Sequence, residues 1–182
     1  MNVSTYRTPR GFADLIMTSD GEVLTGLWFE GSRNAPALRP GDGAREPPAL
    51  RETRRWLDAY FSGRQPDFMP PYRIDGLTPF RRDVVDAMLA IPFGETATYG
   101  EIAAAIARRR GLARMSSQAV GQAVGWNPIC LVVPCHRVVG AAGALVGYGG
   151  GLRNKIALLR LEGARPPLSP TAPGFAAAPP FW

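Results

Sequence analysis

The sequence predicts an α+β protein, with a small N-terminal sheet-plus-helix unit followed by a mostly helical domain. Three observations predict it. Two apolar, strand-like runs flank an Asp-Gly turn near the start, and apolar positions recur at helical spacing from residue 48 onward. A Pro- and Gly-bearing stretch at 64–77 separates the first helical segment from the rest. The expected organisation is therefore an N-terminal α/β unit with its linker at 1–75, a second domain at 76–163 and a Pro/Ala-rich tail at 164–182.

Phe12–Met17 and Glu22–Phe29 read as the strands of a hairpin. They flank Ser19-Asp20-Gly21, where Asp-Gly suits the positive φ of a tight turn. Residues 31–48, rich in Gly, Pro and Arg, read as a loop. From Pro48 to Phe61, Leu50, Trp56, Leu57, Tyr60 and Phe61 mark a helix that Gly63 stops. A second helix begins near Thr78-Pro79, with Thr as N-cap and the stripe Phe80, Val84, Val85, Met88 and Leu89. Ile91-Pro92-Phe93-Gly94 breaks it. A short helix from Tyr99 to Ala107, an Arg-rich loop at 108–114 and another short helix from Ser116 to Val124 fit a helix-turn-helix. The glycines between 140 and 151 predict a tight turn or wing, and the last helix runs from Leu152 to Glu162, ended by Gly163. The tail has no periodicity.

Composition narrows the function classes. The 182 residues are 46% apolar and 20% charged, with no apolar run near the roughly 20 residues of a membrane span. The first residues carry no signal-peptide pattern, so a cytoplasmic protein without membrane contact is expected. Residues 1–75 balance ten Arg against ten acids, whereas 76–182 hold ten Arg and Lys155 against five acids. The whole net charge of +6 thus lies in the second domain, as suits a surface facing polyanions. Cys130, Cys135 and the only histidine, His136, fall one ligand short of a tetrahedral zinc site. The Cys130–Cys135 spacing does not exclude a disulfide, but a reducing cytoplasm argues against one.

Chemistry concentrates in the segment from Trp126 to Val139, where an apolar run delivers Cys135 between Pro134 and His136-Arg137. The thiolate is the nucleophile, and cationic or imidazole neighbours lower a thiol pKa from about 8.5. His136 can take the Cys135 proton, directly or through one water, if the chain bends after Pro134. In an extended strand the two side chains would face opposite ways. A carboxylate elsewhere should orient the imidazole. Cys130 reads as core. These residues support a reactive thiol but equally admit a cysteine hydrolase.

Pro134-Cys135-His136-Arg137-Val138, preceded by Asn127-Pro128 and followed by Gly147-Tyr148 and Gly150-Gly151-Leu152, resembles the active-site signature of the O6-alkylguanine-DNA alkyltransferases, the methylated-DNA–protein-cysteine methyltransferases. The stretch Ile91–Tyr99 resembles the entry to that family's helix-turn-helix, and Leu158–Gly163 its closing helix. The resemblance is firm over about 78–163. It implies a ribonuclease-H-like N-terminal domain, a winged helix-turn-helix domain, and one irreversible transfer of the alkyl group from O6-alkylguanine in DNA to Cys135. O4-alkylthymine is a second candidate substrate. It further implies that His136 deprotonates Cys135 through a water, that Glu162 holds His136, that Tyr99 donates a proton to the departing purine, and that Asn127 braces the segment. The backbone carbonyls of Cys135 and Val138 are expected to accept from the guanine 2-amino group, and the backbone N–H near Gly149 to face O6.

The helix from Ser116 would enter the minor groove, its small residues Ser116, Ser117, Ala119, Gly121 and Ala123 allowing close approach to the backbone. The target nucleotide must leave the stack to be reached. Gln118 stands where well-known members place an arginine that fills the gap left by the flipped base. The loop 107–115 carries Arg108, Arg109, Arg110 and Arg114, which could compensate through phosphate contacts. The expected partner is double-stranded DNA bearing alkylated guanine, met by a monomer that needs no cofactor and no metal. Non-catalytic relatives that bind alkylated DNA lack both the acceptor cysteine and the N-terminal domain; Cys135 and the first 75 residues argue against that reading.

Overall fold

Asp20 makes the tight turn of the hairpin. Its carboxylate accepts from the backbone N–H groups of Glu22 and Val23 at 3.0 and 2.9 Å, and Gly21 beside it takes a positive φ of 119°. The strands so joined, β2 (Leu15–Ser19) and β3 (Leu24–Phe29), are antiparallel, with Leu15 opposite Phe29. The first strand starts at Leu15 and not at Phe12, because Thr8 and Asp14 close a turn there. The Asp14 carboxylate accepts from Thr8 N–H at 3.0 Å, and the Thr8 hydroxyl donates to the Phe12 and Ala13 carbonyls. A third strand, β1 (Asn2–Tyr6), pairs antiparallel with β2 and was not foreseen. It buries only Tyr6, so no apolar alternation announces it. Its place comes from the ladder and from Arg54, which donates to the Ser4 hydroxyl and the Thr5 carbonyl at 2.7 and 2.8 Å.

The computed structural model describes residues 1–37 and 46–164. The middle of the expected 31–48 loop and the tail beyond Ala164 lie outside the described residues. Helix α1 (Pro48–Phe61) has the expected bounds and buries Leu50, Trp56, Leu57, Tyr60 and Phe61 against the sheet. The expected linker at 64–77 is pinned to β3: Leu24 N–H donates to the Pro71 carbonyl, and Arg73 N–H to the Leu24 carbonyl.

In the second half, Thr78 caps α2 (Pro79–Leu89) by accepting from Arg81 N–H, as its position predicts. Val84, Val85 and Met88 are buried, while Leu89, expected on the stripe, is 36% exposed at the helix end. A two-residue strand β4 (Ala97–Thr98) leads into α3 (Tyr99–Arg109) through a capping box formed by Thr98 and Glu101. This helix runs past the expected end at Ala107, because Asp83 of α2 pairs with both Arg109 and Arg110. Ser116 caps α4 (Ser117–Gly125), and α2, α3 and α4 pack on one another.

A 3-10 turn at Cys135–Arg137 then feeds β5 (Val138–Val139), which pairs in parallel with β4, Ala97 opposite Val138. The glycine-rich stretch makes a 3-10 turn at Ala141–Gly143 followed by coil. Helix α5 (Leu152–Leu161) closes the described chain, with Glu162 as its C-cap.

The architecture is α+β. One hydrophobic core runs across the sequence-level boundary, joining Leu27 and Phe29 of the sheet, Leu57 and Tyr60 of α1, and Met88, Ile129 and Leu158 of the second half. Among the described residues, no helix is long and apolar enough to cross a membrane.

Leu57 is fully buried and Leu112 is 48% exposed. Urea unfolding should therefore show Leu57→Ala losing about 3 kcal/mol of stability, and Leu112→Ala staying within about 0.5 kcal/mol of the parent.

Candidate active site

The nucleophile segment is shaped by one amide side chain. Asn127 accepts from Ile129 N–H at 3.1 Å through Oδ1, and its Nδ2 donates to the carbonyls of Val133 and Ile129 at 2.9 and 3.3 Å. Between those anchors the backbone folds tightly, with Val133 N–H bonded to the Ile129 carbonyl and Leu131 held at a φ of 67°. A left-handed Leu is strained by its Cβ, and such strain persists only where neighbouring bonds enforce it. A parallel bridge from β3 secures the same segment: Leu27 N–H donates to the Pro128 carbonyl and Cys130 N–H to the Leu27 carbonyl, each at 2.9 Å. The bend expected after Pro134 is present as the 3-10 turn Cys135–Arg137.

His136 is wholly buried, and its Nε2 lies 2.7 Å from Oε1 of Glu162. Glu162 is a hub. Arg137 donates to it through Nε at 2.8 Å and Nη2 at 3.0 Å, Tyr60 Oη at 2.7 Å, and the Gly94 N–H at 3.2 Å. Burial opposes ionisation of this carboxyl, but the bonds from His136 and Arg137 outweigh it and hold its pKa at about 2. Burial lowers the pKa of His136 despite the carboxylate, so the ring is neutral near pH 7. Its Nδ1 is buried and has no partner among the described residues.

The expectation of a thiol acidified by its neighbours does not hold for the resting protein. Burial raises the Cys135 pKa, and the opposing pull of Asn127, Lys155 and Tyr148 does not overcome it. Arg137, two residues along the chain, is committed to Glu162 and to the Ile91 carbonyl.

Cys135 is 6% exposed and lines a cavity of about 240 Å³ together with Tyr99, Asn127, Cys130, Tyr148 and Gly149. Tyr99 reaches it because the β4–β5 ladder sets the start of α3 beside the residues that follow Cys135. The Tyr99 ring sits 3.7 Å from where a Cβ on Gly121 would be, and burial, then the nearby Cys135, raises its pKa. Cys130, read as core, is buried but also forms part of the cavity wall.

Outside the cavity lies a groove of about 1340 Å³, lined by Ser117, Gln118, Gly121 and Gln122 of α4 and by Arg33, Asn34 and Arg81. Ser116 is exposed but spends its hydroxyl on the helix cap, Ala119 is half-buried outside the groove lining, and Ala123 is buried in the core. Ser117, Gln118, Gly121 and Gln122 are the residues of this helix that line the groove. Val138 is fully buried away from the cavity lining, and its carbonyl accepts from Lys155 Nζ at 2.6 Å. The Cys135 carbonyl already accepts from Val138 N–H.

Sequence reasoning missed Tyr60, Lys155 and Tyr148. Tyr60 had looked like one more apolar position on the α1 stripe. Lys155 did carry a signal, as the only lysine of an arginine-rich chain. It is wholly buried, pushed down to about 8 by that burial, and bonded to the Val138 and Val146 carbonyls.

Residues 79–164 match the family described as 6-O-methylguanine DNA methyltransferase, DNA binding domain. A methylated-DNA–protein-cysteine methyltransferase of Mycobacterium leprae is 44% identical over 151 residues, covering 81% of this chain and 85% of its own length. One from Mycolicibacterium paratuberculosis is 46% identical over 169 residues, covering 91% and 96%. The crystal structure of Mycobacterium tuberculosis OGT in complex with DNA superposes with a TM-score of 0.75 at 39% identity, over 90% of this chain and 93% of that one.

Because its folded pKa of about 2 lies below the ordinary 4.5, Glu162 stabilises the fold fully above pH 4.5 and loses that contribution as pH falls toward 2. The stability gap between the parent and Glu162→Gln, measured by urea unfolding, should be widest above pH 4.5 and close on acidification.

Proposed function

We propose that this chain, which belongs to the methylated-DNA–protein-cysteine methyltransferase family and repairs O6-methylguanine in DNA by methyl transfer to a protein cysteine, uses Cys135 as the acceptor. The observation that carries the assignment is the placement of Cys135 in a cavity, one residue before an imidazole held by an ionised carboxylate. His136 takes the Sγ proton, directly or through one water, because its unpartnered Nδ1 is the free base of the pair. The thiolate attacks the methyl carbon, the C–O6 bond breaks, and the electron pair passes into the purine. Tyr99, whose phenol is protonated at neutral pH, supplies a proton to the departing base. The product thioether offers water no leaving group, so each molecule acts once and no cofactor takes part.

The chain binds DNA. Helix α4 presents Ser117, Gln118 and Gly121 to the groove, and we assign that face to the minor groove of a duplex carrying the lesion. The methylated nucleotide leaves the stack and enters the cavity past Tyr99 and Gly121. Gln118, exposed at the groove, bonds to the orphaned partner base in place of a charged side chain. Gly149 remains on the cavity wall, where its backbone can meet O6. The 2-amino group is left to the Cys135 and Val138 carbonyls only as second acceptor bonds, since each carbonyl already has a donor. All of these groups come from a single chain, which supports a monomer, and the reaction needs a reduced thiol, which supports the cytoplasm.

Incubation with a duplex containing O6-methylguanine should add one methyl group to the intact protein, located on Cys135, and none to Cys135→Ala. Repair of more than one equivalent of guanine per protein would instead identify a turnover enzyme. The arginine-rich turn divides in the same reading, since Arg109 and Arg110 are held by Asp83 whereas Arg108 and Arg114 have no partner among the described residues. Replacing Arg108 and Arg114 should reduce the salt slope of DNA binding by about one for each phosphate no longer neutralised. Replacing Arg109 and Arg110 should leave it nearly unchanged.

A further inference from the structure

Glu162 and His136 both belong to the second half of the chain, yet the hydrogen bond that joins them is completed from the first. Tyr60 of α1 is fully buried, stacked on Trp56 with ring centroids 5.3 Å apart and set edge-on to Phe93 at 6.0 Å. Its hydroxyl position is therefore fixed by packing. The Oη lies 2.7 Å from Oε1 of Glu162 and 3.3 Å from Nε2 of His136.

Proton bookkeeping around that triangle has one solution. An ionised carboxylate only accepts, and Oε1 at 2.7 Å is much nearer the phenol than Nε2 at 3.3 Å, so the single phenol proton goes to Glu162. Having given it, the Tyr60 oxygen faces Nε2 with a lone pair. Both oxygens nearest Nε2 are thus acceptors, and a lone pair on Nε2 would be repelled by each. Arg137 holds both carboxylate oxygens in a two-pronged pair and pulls on the same Oε1 at 3.0 Å. The phenol counters that pull and keeps Oε1 aimed at the ring.

We propose that Tyr60 is a positioning residue that holds His136 in its Nε2–H tautomer, leaving the Nδ1 lone pair for the Cys135 proton. The N-terminal unit is then part of the reactive arrangement, because docking of α1 determines which ring nitrogen is basic. When Cys135 loses its proton, the S–H bond breaks and an Nδ1–H bond forms. The Nε2–H stays on Glu162, and Tyr60 itself exchanges no proton. This rests on the reading of Cys135 as acceptor and deepens it.

His136 is the only histidine, so the full chain labelled with nitrogen-15 histidine gives a single set of imidazole signals. The parent should show a protonated Nε2 and an unprotonated Nδ1 at neutral pH. Tyr60→Phe keeps the ring and removes the hydroxyl; it should show a mixture of tautomers and methyl transfer slowed about tenfold, with affinity for the lesion duplex unchanged. An Nδ1–H tautomer in the parent overturns the proposal whether or not the variant folds. So does a Tyr60→Phe protein with the parent's spectrum and rate. Failure of the parent to take up methyl on Cys135, read in the same transfer assay, would strike the acceptor assignment separately.

Discussion

A buried carboxylate organises this protein. Glu162 sits at the end of the last described helix, with its side chain withdrawn from water, and takes hydrogen bonds from Tyr60 in the first half, Gly94 before the helix-turn-helix, and His136 and Arg137 in the nucleophile turn. Withdrawing a lone carboxylate from water costs several kcal/mol, and the paired guanidinium and the surrounding donors offset that cost. The arrangement closes the core. Gly94 shows how tightly: with φ at 80°, a Cβ there would lie 2.8 Å from the Glu162 carbonyl oxygen. Positive φ and close backbone approach together leave room only for glycine.

Function follows from what this anchor permits. The turn that carries Cys135 is fixed from both sides, by Asn127 before it and by Glu162 through His136 and Arg137 after it. The parallel ladder between Ala97-Thr98 and Val138-Val139 then fixes the distance from the thiol to Tyr99. Reactivity in such a site comes from geometry more than from a standing thiolate. Burial raises the Cys135 pKa, which disfavours a standing thiolate, and burial likewise keeps the His136 imidazole neutral. A reagent that can be used only once benefits from that restraint.

The residues to which the proposed chemistry is assigned were legible in the sequence because each is a rare type in a specific setting. The only histidine follows a proline-flanked cysteine, and a carboxylate at a helix C-terminus is mildly unfavourable there without another use. Helices α1 and α2 were legible through periodicity and caps. The rest depends on pairing between distant segments, which leaves no local pattern. β1 is a polar edge strand placed by its neighbour, and the β4–β5 ladder is two residues long on each side. Tyr60 looked apolar on its helix because only the folded core reveals what its hydroxyl meets. The direction of the Cys135 shift failed for a related reason. Sequence neighbours suggested a cationic surrounding, whereas the fold turns Arg137 toward Glu162 and buries the sulfur.

The central claim is that His136, held by Glu162, removes the thiol proton during the reaction. The pH dependence of single-turnover methyl transfer tests it most directly. If His136 is the base, the rate falls only below the lowered histidine pKa, under 6.5, and stays level through neutral and mildly alkaline pH. A rate that climbs steadily with pH toward and beyond the ordinary thiol value of about 8.5 would mean that solvent, not the imidazole, ionises Cys135, and would contradict the account.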